Sequence, residues 1–109
     1  MMFDNYKKLN ELEDIYEAER KQIDKELQKL NELRYQVRKE NDQDYDLFLH
    51  LKEKMGYSNE ASGRMLRNLE EYEHEVNLQI RQNEMRLESY KDELKREYIK
   101  KYEKIGDGN

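Results

Sequence analysis

Apolar residues recur at three- and four-residue steps along almost the whole of this 109-residue chain, with a glycine-bounded break in the middle. In the first half it steps through Leu9, Leu12, Tyr16, Ile23, Leu30, Leu33 and Val37, with Leu27 beside the stripe, and resumes at Tyr45, Phe48, Leu51 and Met55. In the second half it reads Leu66, Leu69, Val76, Ile80, Leu87, Tyr90 and Leu94, then Tyr98, Tyr102 and Ile105. Steps of three and four hold one stripe of a helix against a partner helix, the heptad pattern of a coiled coil. Two steps, Val37 to Phe48 and Leu87 to Tyr98, are eleven residues long, a spacing that locally relaxes the left-handed supercoil.

Charged residues make up 43% of the chain and hydrophobic ones 35%. Ordinary domains carry about 25% and 45–50%, so a thick core is excluded. A composition this polar also marks disorder, but a disordered chain has no reason to keep apolar residues in phase. The expectation is therefore all-α. The chain has no proline, and its break is Gly56-Tyr57-Ser58-Asn59-Glu60-Ala61-Ser62-Gly63. Lys52 and Lys54 suit a helix C-terminus ahead of Gly56, which tolerates positive φ. Ser58 or Asn59 can cap the next helix with Glu60 in its first turn, and Ser62 is a competing cap. The expected layout is a single domain, residues 1–109: helix one over about 3–55, turn 56–62, helix two over about 60–105, and a flexible tail 106–109.

A short loop between two long helices folds them into an antiparallel coiled-coil hairpin. With the turn centred near 58–59, facing residues have numbers adding to about 117. The expected seam is then Ile23, Leu30, Val37, Phe48 and Leu51 against Leu94, Leu87, Ile80, Leu69 and Leu66, with Val76 between. Charge agrees, since the acidic stretch 11–19 comes opposite Lys100, Lys101 and Lys104. A continuous rod that dimerises would carry helix through Gly56 and Gly63 at roughly 1 kcal/mol each, and it stays open at this point.

A single two-helix seam is thin for independent stability. Further apolar residues lie off it: Ile15, Tyr35 and Leu49 in the first half, Tyr72, Leu78, Met85 and Ile99 in the second. Phe3 and Tyr6, with Met1, Met2 and Leu9, extend past the end of helix two. These are the candidate partner-binding residues. Nine tyrosines strengthen that expectation, because tyrosine is enriched at interfaces. The polar run Arg38–Asp44 interrupts the seam, and Asp42, Asp44 and Asp46 are expected near Glu71, Glu73 and Glu75, a like-charge zone.

Enzyme chemistry finds no footing. Ser58, Ser62 and Ser89 have no histidine placed to activate them, and no glycine-rich loop resembles a phosphate cradle. Glu71-Tyr72-Glu73-His74 fits Glu-x-x-His, one quarter of a di-iron bundle site, but Leu47 stands where the matching glutamate before His50 is needed. No cofactor and no metal are expected. The basic stretch Lys91–Lys104 carries Tyr90, Tyr98 and Tyr102, which could stack on bases, yet its tyrosines are at seam spacing and the net charge is −5. Nucleic acid is therefore not an expected partner. No run nears the roughly 20 apolar residues that cross a bilayer, so membrane insertion is not expected. Residues 1–8 lack the basic-then-apolar order of a signal peptide, so a cytoplasmic chain is expected, or one exported together with a partner.

Length, hairpin layout and the charged, Tyr-rich, Leu-repeat character resemble the WXG-type proteins of type VII secretion. More closely, the chain is similar to the small helical accessory proteins encoded beside LXG-domain toxins in Gram-positive bacteria. Its turn reads Met55-Gly56-Tyr57 where WXG proteins have Trp-x-Gly. The C-terminal Tyr-x-x-x-Asp/Glu export signal is absent, because Tyr98 is followed four residues on by Tyr102 and Tyr102 by Gly106, and Phe3 is followed at that spacing by Lys7. The resemblance implies a non-enzymatic chaperone or targeting partner packed on the helical LXG domain, with a second small helical protein carrying the signal. The alternatives are an autonomous coiled-coil adaptor or homodimer in another secretion or phage assembly, and a metal-binding helical bundle.

Overall fold

The computed structural model describes residues 9–107. Two helices, α1 (Leu9–Met55, 47 residues) and α2 (Asn59–Asp107, 49 residues), form an antiparallel hairpin. Each is amphipathic along its length and places its apolar stripe on the other. Expected helix from residue 3 onward lies outside the described residues up to Lys8, and so do the last two residues of the tail.

The turn is shorter than expected. Only Gly56, Tyr57 and Ser58 are non-helical. Gly56 takes φ +63° and its N–H donates to the Lys52 carbonyl at 2.9 Å, the left-handed cap that closes α1. Ser58 Oγ accepts from the Ala61 N–H at 3.1 Å and caps α2. Ser62 is therefore not the cap. It sits one turn inside α2, buried, with its N–H donating to the Ser58 carbonyl. Gly106 and Asp107 are helical, not part of a tail, and Lys104 in the last turn favours the negative helix end.

These caps predict opposite signs for two glycines. Gly56→Ala forces a Cβ into the left-handed region and should cost about 1–2 kcal/mol. Gly63 is helical with open space where a Cβ would stand, so Gly63→Ala should add about 0.5–1 kcal/mol. Urea denaturation monitored at the helical ellipticity minimum measures both. Equal and small effects would mean that the turn lies elsewhere.

The contacts fall into two compact units. Among the described residues, one holds 9–29 and 84–107, the other Leu30–Asn83. A two-helix stripe has no central core, so each layer packs only on its neighbours. In the first unit Leu12, Ile23 and Leu94 are buried together, with Tyr16, Leu27, Leu87, Tyr98 and Ile105 packed around them. Tyr16 stacks on Tyr98 at 4.2 Å between ring centroids and 10° between planes. Asp24 pairs with Lys91 at 2.6 Å, an exposed pair worth tenths of a kcal/mol. In the second unit Val37, Phe48 and Ile80 are buried.

The facing contacts correct the expected register. Asn41 meets Glu73, Asp24 meets Lys91 and Tyr16 meets Tyr98, each two or three short of the sum of 117. The cause is the turn, centred on Tyr57 instead of 58–59. A shift of three is one seam step in a three–four repeat, so the seam residues stay inside. Ile23, Val37, Phe48, Ile80 and Leu94 are buried, and Leu30, Leu51, Leu66, Leu69, Val76 and Leu87 are half-buried.

Burial, followed by the charges of Glu13 and Glu17, raises the Tyr98 phenol above its ordinary value; burial, then Glu19, Glu97 and Glu93, raises Tyr90. The unfolded chain releases these protons near pH 10 while the native state still holds them. The stability they contribute is therefore whole below pH 10 and falls as pH rises beyond it. Thermal melts at pH 9 and pH 11 should show a smaller drop for Tyr98→Phe than for the parent, and an identical drop would contradict the assignment.

Candidate partner-binding surface

Two helices cover only one stripe of each other, so what lies beside the seam decides what is left open. In the second unit the side chains on one flank of the seam form a trough of about 330 Å³. Phe48 and Leu51 of α1 and Leu69 of α2 line its base, and Leu47 and Met65 stand along it, 57% and 43% exposed. Its polar members are Asp44 and Asn68. The spacing explains the arrangement: Asp44, Leu47 and Leu51 follow one another at three and four on α1, and Met65 and Leu69 at four on α2.

Near the trough, in the same unit, the seam carries a polar layer. Asn41, 9% exposed, donates from Nδ2 to Glu73 Oε2 at 2.8 Å. Within the expected like-charge zone, the Glu73 carboxylate therefore has an amide donor. The Asn41 and Asn77 Oδ1 atoms are buried without a hydrogen-bond partner.

The candidate residues divide. Ile15 does not belong to an outer surface: it is half-buried and packs on the Leu12–Ile23–Leu94 cluster of its own unit. Leu9 is half-buried too, since α2 runs on to Asp107. Phe3 and Tyr6 lie outside the described residues. Tyr35, Leu49, Tyr72, Leu78, Met85 and Ile99 are exposed, Tyr35 most of all at 71%. Tyr72 lies seven residues past Met65 and extends the trough side of α2. Helical spacing turns Tyr35 and Leu49 away from the trough on α1, and Leu78 on α2. Leu47 and Met65, which line the trough, are not among the expected residues. They stand next to seam positions, Leu47 beside Phe48 and Met65 four before Leu69, and the Leu47–Leu51 spacing was the available signal.

His74 is exposed, and no group of three or more His, Asp or Glu placed to hold a metal is found among the described residues. No helix among them is long and apolar enough to cross a membrane. No family model, curated protein or solved structure matches the chain.

Proposed function

We propose that this chain is a non-enzymatic binding partner that packs against a helical segment of another protein. The observation that carries the reading is the trough beside Phe48: leucine and methionine side chains stay in water along a seam whose buried apolar set, among the described residues, is Leu12, Ile23, Val37, Phe48, Ile80 and Leu94. Burying such side chains is favourable by about 25 cal/mol per Å² of apolar area, and covering them with one more helix would complete a small bundle. The more specific form is a chaperone or targeting accessory of an LXG-domain toxin in a Gram-positive type VII secretion system, working in the cytoplasm or leaving with its cargo. Its support is the hairpin layout and the charged, Tyr-rich, Leu-repeat character of the sequence. The test is the neighbouring reading frame. An LXG-type toxin there, whose helical domain co-purifies at fixed stoichiometry with this chain, is the expected result. A chain that remains a stable monomer and ignores that domain would refute the specific form.

A further inference from the structure

We propose that the trough between Leu47 and Met65 receives one α-helix of a different protein, its apolar stripe flanked by lysine or arginine; the inference rests on the binding role above and names the partner's chemistry. Both walls are helices whose backbone amides are spent internally, so no edge is offered to an extended strand. An occupant must bring its own satisfied backbone, which a helix does. The apolar line continues along the same side, to Leu33 on α1 and Tyr72 on α2, both exposed.

Charge narrows the occupant. Asp44 is the acidic residue lining the trough, and it makes no ion pair among the described residues. One turn before it, Glu40 accepts only from the Gln36 amide at 2.9 Å, and beyond Tyr72 Glu75 accepts only from the Gln79 amide at 3.4 Å. Three carboxylates thus border an apolar line with no cation of this chain upon them, although Lys54 and Arg64 lie nearer the turn. A second copy would bring the same carboxylates along with its own Lys54 and Arg64 and a further net charge of −5, a poorer match than a lysine-flanked foreign helix, which sets cations alone against them.

The probes are two synthetic helices of about 20 residues with one leucine stripe, flanked by lysine in one and by glutamate in the other. Each is titrated into the full chain carrying ¹³C-methyl methionine. The lysine-flanked helix should bind at least about fivefold tighter, the worth of two rim ion pairs. It should shift the Met65 methyl while leaving Met85 in place. Leu47→Arg, at an exposed position, should weaken it by a similar factor with the circular dichroism unchanged. Equal affinity for the two probes overturns the charge assignment and with it the proposal. A shift at Met85 and not at Met65 overturns the location but leaves the binding role standing. Failure of both probes to bind removes the proposal and leaves the binding role to be decided by the toxin-domain test. Dimerisation of the free chain that Leu47→Arg abolishes assigns the trough to a second copy instead.

Discussion

Phe48→Ala is expected to lower the unfolding free energy by about 3–5 kcal/mol, the usual cost of truncating a buried aromatic. Phe48 is 3% exposed and is one of only three buried apolar residues, with Val37 and Ile80, in the unit formed by Leu30–Asn83. Whole domains are stable by about 5–15 kcal/mol, so such a loss should leave this unit largely unfolded at room temperature. The cavity cannot close easily, since Leu51 and Leu69 beside it already open on the trough. Urea titration followed by circular dichroism supplies the total, and amide exchange shows where protection disappears. The expected pattern is loss of protection within 30–83. A change below about 1 kcal/mol would mean that the helices are not packed at Phe48.

The second large effect concerns the Asn41–Glu73 layer. Asn41→Leu removes the donor at 2.8 Å and strands a half-buried carboxylate, at an expected cost of about 1–3 kcal/mol. Replacing both, Asn41→Leu with Glu73→Leu, removes the stranded charge and fills the seam. It should recover the loss and exceed the parent by about 1–4 kcal/mol, as when buried polar pairs give way to apolar ones. The price is register. A seam of uninterrupted leucines fits equally well one step along, whereas a buried amide fits only opposite its acceptor. The double variant should therefore melt later yet show two sets of amide resonances near the turn. If it is no more stable than Asn41→Leu alone, the layer is a structural necessity and not a specificity device.

Much of the fold is legible from single residues. Leu12, Ile23, Val37, Phe48, Ile80 and Leu94 fall on one three–four rhythm and are the buried apolar set, because a helix can place such a spacing only on one face. Gly56 marks the end of α1, since few other residues take positive φ at little cost. Asn41 was not legible as an inner residue. It belongs to the polar run 38–44, and nothing local tells an amide in water from one held by a residue 32 positions away. Sequence left Ser58, Asn59 and Ser62 competing as the cap of α2, since each has a side chain suited to an N-terminus, and the structure gives the role to Ser58. Ile15 looked unpartnered because its contacts come from packing in three dimensions and not from its spacing.

The sequence by itself determined that the chain is two amphipathic helices, where they are divided, and most of the apolar side chains that turn inward, though Leu33, Tyr45, Met55, Tyr90 and Tyr102 on the same stripe stay exposed. Those properties depend on neighbours within a turn or two. The tertiary structure alone decided the step at which the helices meet and the flank of the seam left open at Leu47 and Met65. A three–four repeat matches itself again after every three or four residues, so periodicity permits several alignments of nearly equal burial. The three-residue turn and the Asn41–Glu73 bond select one of them.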